Sequence, residues 1–296
     1  MKLIAVDMDG TLLNHWKEIS EENIQAIKKA QSMGIEIVIA TGRAYFDAKK
    51  ICEKAGLNLH IISDNGALIH TKNGEQISSI TMEKKDVKRI ITELEEQNFY
   101  YEVFANRGIY TTYSRKKALE EAAKTCHDDL LAEKFQYAVN IQFGQTGIRF
   151  MESNEAILGE EEKIYSVFAL SFDEKRLKDG IKHFGQMDHL SMISSADNNF
   201  ELANKLTSKG NALEKLARVL NISLDYTAAV GDSYNDISML EKANLGVAMG
   251  NAHDDIKALC DTVTRTNDEN GVAYIINQII DKEIVHQIQF SNISLA

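Results

Sequence analysis

One short stretch decides the fold, LIAVDMDGT at residues 3–11. Four apolar residues, Leu3 to Val6, are followed at once by a loop that carries Asp7 and Asp9. A short apolar run of this kind predicts a strand of a parallel sheet, buried on both faces. In such α/β folds the ligand-binding side chains lie beyond the carboxyl ends of the strands. The stretch therefore predicts an α/β protein with its polar chemistry at the end of the first strand.

Strand and helix patterns alternate in two separate parts of the chain. Residues 1–63 contain three short apolar runs with two helical patterns between them, and the first of these helices begins after Ser20 as its N-cap. Alternation resumes with a helix that opens at Lys209, followed by strands over Thr227 to Val230 and Leu245 to Met249 and by further helices. This arrangement predicts one doubly wound parallel sheet interrupted by a second domain.

The segment between the two alternating parts has a different pattern. Its helical and strand-like stretches do not alternate regularly, which is typical of an α+β domain. We expect an α/β core formed by residues 1–83 and 189–296, with an α+β insert at residues 84–188. Residues 281–296 are expected to be a frayed tail of the core.

Composition limits the class of partner. The 296 residues carry 33 Lys and Arg against 44 Asp and Glu, a formal charge of −11, which disfavours nucleic acid and anionic membranes as partners. No apolar run approaches the roughly 20 residues of a membrane span, and the three cysteines form no CxxC pair. These features predict a cytoplasmic protein. An anionic substrate would then need a bound cation.

The loop after the first strand has two rival interpretations. One alternative is an ordinary solvated turn, and the other is a calcium loop, because Glu18 is the twelfth residue when Asp7 is counted as the first, as in an EF-hand. Leu12 occupies the position where an EF-hand requires glycine, and a strand precedes the loop instead of a helix. Calcium binding is therefore disfavoured. GxGxxG and GxxxxGK[ST] are both absent, which disfavours a dinucleotide-binding enzyme and a P-loop kinase.

Three further pieces stand at equivalent places in the predicted fold. Thr41-Gly42-Arg43 follows the second strand, Lys209 opens a helix, and GDSYND at residues 231–236 follows the strand from Thr227. Each has a structural alternative when taken alone: Thr41 or Asp232 as a helix cap, and Lys209 as a solvated lysine. Their order along the chain, after DMDGT, is the informative feature.

Together these motifs resemble those of the haloacid dehalogenase-like hydrolases, and more narrowly the Cof-type phosphatases, which carry a large cap inserted between the second and third motifs. The resemblance covers about residues 1–280. It includes SDNGA at residues 63–67 and GVAMGNA at residues 246–252. It implies a cap domain over the site and a Mg²⁺-dependent phosphatase for small phosphorylated metabolites, in the class of sugar phosphates, pyridoxal phosphate or flavin mononucleotide.

The resemblance also implies a role for each motif residue. Asp7 becomes the nucleophile that forms an aspartyl-phosphate, and Asp9 the general acid and base. Mg²⁺ is held by Asp7, the backbone carbonyl of Asp9 and Asp232, and Asp236 supports a metal-bound water or Lys209. The groups expected to bind the phosphate are the Thr41 hydroxyl, the Met8 and Gly42 N–H groups, the Lys209 ammonium and the Asn235 amide.

Some alternatives remain open at this point. Arg43 is as well explained by solvation as by contact with substrate. A phosphomutase of the same superfamily would keep the same nucleophile and acid/base pair and return the phosphoryl group to a sugar. A ligand-binding or regulatory protein on the same scaffold is a further alternative, disfavoured because Asp7, Asp9, Lys209 and Asp232 are all present.

Overall fold

The computed structural model describes residues 1–124, 129–159, 163–195 and 197–293, with only the backbone described for 129–130 and 283–293. The chain divides into two compact units. The first contains Met1–Ser78 and Ser208–Ala296, and the second contains Ser79–Thr207.

Fourteen strands and eleven α-helices are found in the described part of the chain. The strands are β1 (Leu3–Val6), β2 (Glu36–Ala40), β3 (His60–Ser63), β4 (Leu68–His70), β5 (Gln76–Ser79), β6 (Tyr100–Ala105), β7 (Gly108–Thr112), β8 (Ile148–Met151), β9 (Ile164–Leu170), β10 (Leu190–Ile193), β11 (Asn199–Asn204), β12 (Thr227–Gly231), β13 (Leu245–Ala248) and β14 (Thr262–Val263). The helices are α1 (Glu21–Ser32), α2 (Tyr45–Lys54), α3 (Lys84–Glu96), α4 (Tyr113–Lys124), α5 (Asp129–Phe143), α6 (Asn154–Ile157), α7 (Glu174–Phe184), α8 (Lys209–Val219), α9 (Ile237–Lys242), α10 (Asp254–Leu259) and α11 (Gly271–Ile293).

The first unit is built on an eight-stranded sheet in the order β14-β13-β12-β1-β2-β3-β4-β5. Strand β1 lies between β2 and β12 and pairs with both in parallel. The strands that follow β1 in the chain, β2 and β3, lie on one side of it, and β12 and β13 lie on the other side. In α/β sheets this switch in strand order opens a crevice at the carboxyl ends of the strands, where ligands bind. The predicted α/β fold class is confirmed.

Local sequence explains the elements around β1. All four of its residues are fully buried, as its uninterrupted apolar run predicts. The predicted N-cap Ser20 accepts a hydrogen bond from the N–H of Asn23, and α1 turns Ile24 and Ile27 into the core. Gly34 follows this helix with a positive φ of 79°.

The second unit contains a six-stranded sheet in the order β10-β11-β9-β6-β7-β8, antiparallel except for the β7 and β8 pair. Its core includes Phe99 and Phe200, whose rings meet edge to face with centroids 5.5 Å apart. Gly180 of α7 lies against both rings, and a Cβ there would be 2.6 Å from Phe99. The irregular order of strands and helices agrees with the predicted α+β class.

Two details differ from the sequence-based expectation. Strand β11 pairs with β9 in the sheet of the second unit and β10 pairs with β11, so this unit runs past the boundary expected at residue 188. Phe200 and Leu202 explain the difference, because they complete the apolar core of this unit. Of the tail expected to fray, residues 281–293 belong to α11, which continues to Ile293 with neither glycine nor proline after Gly271 to end it, and residues 294–296 lie outside the described residues.

Within the described ranges, every helix is either too short or too polar to traverse a lipid bilayer. The cytoplasmic location and the exclusion of nucleic-acid partners stay predictions from composition.

Candidate active site

The carboxyl ends of β1 and β12 bring together residues that are far apart in sequence. Asp7 follows β1 directly, and Asp232 follows β12. The parallel register places Val6 beside Val230, so both loops leave the sheet at the same edge. Asp7, Asp232 and Asp236 each offer a carboxylate oxygen within 4.8 Å of the others. Three of the predicted site residues are therefore clustered.

Lys209 lies inside this cluster. Its side chain is fully buried, and its Nζ donates to Asp7 Oδ1 and to Asp236 Oδ1, each at 2.7 Å. The alternative of a solvated lysine is wrong. Burial by itself would lower the pKa of Lys209, but the charges of Asp236 and Asp7 outweigh it and raise the pKa above the ordinary value. The ammonium is a fixed positive charge beside Asp7.

Asp236 holds this arrangement in place. Its Oδ1 accepts a hydrogen bond from Lys209 Nζ, and its Oδ2 accepts from the backbone N–H groups of Asp232 and Ser233, each at 3.0 Å. Ser233, not Asp232, occupies the N-cap of the turn that follows β12, so the alternative role of Asp232 as a cap is wrong. The contact of Asp236 with Lys209 agrees with the supporting role expected for it.

Asp232 is fixed from the side of the first loop. The Thr11 hydroxyl donates to Asp232 Oδ1 at 2.8 Å. Gly10 has a positive φ of 82°, and a Cβ there would lie 2.4 Å from Asp232 Oδ2. Glycine is therefore required both for the backbone conformation and for the close approach of the carboxylate.

The cluster offers carboxylate oxygens of the kind that can hold a hard divalent cation. Burial raises the pKa of Asp7 well above its ordinary value and that of Asp232 to about 6, and the charge of Asp236 adds to both shifts. Three carboxylates face one ammonium, which leaves negative charge uncompensated. Both oxygens of Asp236 are already hydrogen-bonded, so Asp7 and Asp232 are the side chains suited to a hard divalent cation.

Asp9 has a different environment. Arg43 donates to it through Nε at 2.6 Å and Nη2 at 2.8 Å, and Lys17 Nζ lies 3.1 Å from Oδ1. Desolvation acts to raise the pKa of Asp9, but the hydrogen bonds and charge of Arg43 outweigh it and lower the pKa to about 2. In this geometry Asp9 is a carboxylate at neutral pH.

Arg43 is therefore neither simply solvated nor directed only at substrate, the two roles left open for it. Its Nη1 also donates to Asp47 on α2 at 2.6 Å, so one guanidinium joins two carboxylates. The pKa of Arg43 is raised, because these bonds and charges outweigh the cost of its burial. Arg43 fixes the side chain of Asp9 in the described geometry.

The remaining predicted residues, Thr41, Met8, Gly42 and Asn235, also belong to the first unit. Thr41 is buried after β2, and helix α2 has Ala44 at its N-cap, so the interpretation of Thr41 as that cap is wrong. The side chain of Met8 is buried in the core. Asn235 donates from Nδ2 to Asn65 Oδ1 at 3.0 Å. Their contacts with phosphate, and that of Gly42, stay predictions.

Three residues that contact the site received no role from the sequence. Thr11 belongs to the DMDGT motif, and its position could have indicated a contact with a neighbouring aspartate. Asn65 belongs to SDNGA, which marked the resemblance without a role for the residue. Lys17 reaches Asp9 from a backbone with a φ of 60°, and no pattern in the sequence signals this.

Comparison with known proteins agrees with this geometry. The sequence profile of the haloacid dehalogenase-like hydrolases matches residues 4–276. The chain is similar to phosphatase YwpJ of Bacillus subtilis, with 42% identity over 285 residues that cover 95% of this chain and all of the relative. It is also 36% identical to the 5-amino-6-(5-phospho-D-ribitylamino)uracil phosphatase YwtE of the same organism, covering 95% of this chain and 98% of YwtE.

Solved structures show the same similarity. A haloacid dehalogenase-like hydrolase from B. subtilis superposes with a TM-score of 0.84 and 43% identity, covering 94% of this chain and 99% of the other. A hydrolase of the same kind from Bacteroides thetaiotaomicron gives a TM-score of 0.77 at 25% identity, with 94% and 99% covered. The chain therefore belongs to the haloacid dehalogenase-like hydrolase family, and it is a phosphatase, as its four motifs indicated.

Proposed function

We propose that this phosphatase hydrolyses small phosphorylated metabolites with the help of Mg²⁺, through a phosphoryl group carried on Asp7. The observation that carries the proposal is the buried cluster in which Lys209 Nζ donates to Asp7 Oδ1 at 2.7 Å and a carboxylate oxygen of Asp232 lies within 4.8 Å of one of Asp7. A carboxylate held next to a fixed ammonium, at the end of the central strand, is suited to attack a phosphoryl group whose charge the lysine stabilises.

The metal would be held by the carboxylates of Asp7 and Asp232 and by the backbone carbonyl of Asp9. When bound, Mg²⁺ offsets the repulsion between these carboxylates and the phosphate dianion. The close approach of the Gly10 backbone to Asp232 supports this ligand set, because it brings the first loop against the second aspartate.

The reaction takes place in two displacements. A carboxylate oxygen of Asp7 forms a bond to phosphorus while the bond to the leaving oxygen breaks, and that oxygen takes a proton from Asp9. Water then attacks phosphorus, Asp9 accepts a proton from the water, and the bond to Asp7 breaks to release inorganic phosphate. Thr41, Asn235 and Lys209, with the N–H groups of Met8 and Gly42, bind the phosphoryl oxygens.

The first proton transfer places a requirement on Arg43. A carboxyl group whose pKa is about 2 is ionised at neutral pH and has no proton to give. The contact between Arg43 and Asp9 must therefore break, and Asp9 must take up a proton from water beside the negatively charged substrate, before Asp9 acts as an acid. Entry of the substrate beside Asp9 is the event proposed to break it.

The substrate class is a phosphate monoester of a small metabolite. Support comes from YwtE, whose name gives a phosphorylated ribitylaminouracil as its substrate. Candidate substrates are sugar phosphates, pyridoxal phosphate and flavin mononucleotide, the last of which also carries its phosphate on a ribityl chain.

The test is release of inorganic phosphate across a panel of these compounds with Mg²⁺. We expect Asp7→Asn to reduce turnover by about 10³-fold or more. EDTA should abolish the wild-type activity, and added Mg²⁺ should restore it. The control is Asp254→Asn, at a fully exposed aspartate outside the cluster. Near wild-type turnover in Asp7→Asn, or full activity in EDTA, contradicts the proposal; isomerised sugar phosphate without free phosphate indicates a mutase.

A further inference from the structure

The turn after β3 has an unusual backbone. Three consecutive residues have positive φ angles, Asp64 at 50°, Asn65 at 53° and Gly66 at 104°, and all three are buried. Non-glycine residues adopt this conformation at a cost, and it persists only where surrounding contacts impose it. The contacts of the turn are therefore informative.

The backbone of the turn is bonded to the loop that follows β2. The N–H of Asn65 donates to the carbonyl of Thr41, and the N–H of Asp64 donates to the carbonyl of Arg43, each at 3.0 Å. These two bonds hold the chain on both sides of Gly42. The conformation of the peptide that presents the Gly42 N–H thus depends on the turn.

The side chain of Asn65 links this loop to another. Its Oδ1 accepts from Asn235 Nδ2 at 3.0 Å. A Cβ on Gly42 would lie 3.2 Å from both polar atoms of the Asn65 amide, so the amide lies against Gly42. Asn65 is 2% exposed. One buried amide therefore contacts two groups that the proposed function assigns to the phosphate.

Gly66 brings the turn against the backbone at Lys209, which is also proposed to bind the phosphate. A Cβ at this position would be 2.3 Å from the carbonyl oxygen of Ser208 and 3.1 Å from the backbone nitrogen of Lys209. The turn thus packs on the first residue of α8, which carries the buried ammonium. No larger residue fits here without moving that helix.

We propose that Asn65 is a positioning residue for phosphoryl transfer, acting through Asn235 and Gly42. The proposal rests on the proposed function, because it assumes that these two groups bind the phosphoryl oxygens. The buried amide keeps the Asn235 side chain and the Gly42 peptide in place, so that they need no rearrangement when charge develops on the phosphoryl group.

The variant Asn65→Gly removes the amide and retains a residue that adopts positive φ readily. The matched control is Asn221→Gly, at an exposed asparagine with a φ of 55° that follows α8. We expect Asn65→Gly to lower kcat/KM for phosphate release by about 10- to 100-fold and to weaken inhibition by inorganic phosphate. The thermal midpoint of each variant shows whether the loss follows from instability; Asn221→Gly should leave activity and phosphate inhibition unchanged.

A double-mutant cycle with Asn235→Ala separates positioning from a general structural effect. If Asn65 acts through Asn235, the double variant should lose less activity than the product of the two single losses. Wild-type kcat/KM and phosphate inhibition in Asn65→Gly, or multiplicative losses in the cycle, would overturn the proposal. Calorimetric titration with inorganic phosphate compares the phosphate affinity of the unmodified chain with that of Asn65→Gly. This comparison tests the positioning role even if Asp7→Asn shows that the proposed function is wrong.

Discussion

The two units each bury a carboxylate, and they compensate its charge in different ways. In the first, Asp7 and Asp236 share the ammonium of Lys209. In the second, Glu102 on β6 is fully buried and accepts from neutral groups, the Tyr100 hydroxyl at 2.6 Å and Gln145 Nε2 at 2.8 Å. One cluster contains a permanent cation, and the other relies on dipoles.

This difference separates a cluster that keeps a permanent cation from one in which a buried carboxyl group has no cation beside it. Burial raises the pKa of Glu102 to about 7; the bonds from Tyr100 and Gln145 act against this shift, and the charge of Glu201 adds to it. Glu102 therefore changes its protonation near neutral pH. Lys209 stays charged there, so its cluster keeps a fixed cation at neutral pH.

The largest effect is expected from removing the cation. Lys209→Met leaves buried carboxylates without their partner, which should cost about 3–5 kcal/mol of unfolding free energy and lower phosphate release by about 10²-fold or more. Urea unfolding and the phosphate assay measure the two effects. The control is Lys242→Met, which removes a partly exposed lysine paired with Glu214 and should cost under about 1 kcal/mol. Equal stabilities for the two variants would show that Lys209 does not neutralise the cluster.

A smaller effect is expected from the cluster without a cation. The pKa of Glu102 in the folded protein, about 7, lies above the ordinary value of 4.5. The protonated carboxyl group therefore contributes to the free energy of unfolding below pH 4.5, and this contribution is lost as the pH rises through 7. The loss is about 3 kcal/mol, and Glu102→Gln should remove it. Urea unfolding at pH 4.5 and pH 8 gives the difference between wild type and variant.

Glu96→Gln, at an exposed residue of the same unit, is the control for Glu102→Gln. It should leave the pH dependence of unfolding as it is in the wild type. If wild type and Glu102→Gln lose stability equally between the two pH values, the proton-exchanging role of Glu102 is wrong.

The smallest effect concerns the support of Asp232. Thr11→Val removes the 2.8 Å hydrogen bond to Asp232 Oδ1 and should cost about 1 kcal/mol of stability. Because that bond orients a proposed metal ligand, the Mg²⁺ concentration for half-maximal activity should rise about tenfold. Thr227→Val removes a buried hydroxyl at the opposite end of β12 and should leave this concentration unchanged. Equal Mg²⁺ requirements in both variants would contradict the role of Thr11.

Much of the fold was predictable where one element carries its own signal. The bounds of β1 agree with its apolar run, and the Ser20 cap begins α1 as expected. Strands β10 and β11 were assigned to the wrong unit, because a short strand can pair with either sheet and its sequence does not specify its neighbour. The antiparallel pairing of β11 with β9, and of β10 with β11, decides it.

For the site as well, local features were predictable and contacts between distant segments were not. The motifs identified Asp7, Asp232 and Lys209, because their residue types and their places after strands and before a helix are local properties. The burial of Lys209 between two carboxylates, the pairing of Arg43 with Asp9 and the contact of Asn65 with Asn235 join segments distant in sequence. Sequence alone thus determined the prediction of which residues carry the chemistry. Only the tertiary structure decided their partners, since hydrogen bonds and pKa shifts depend on what the fold places within a few ångströms.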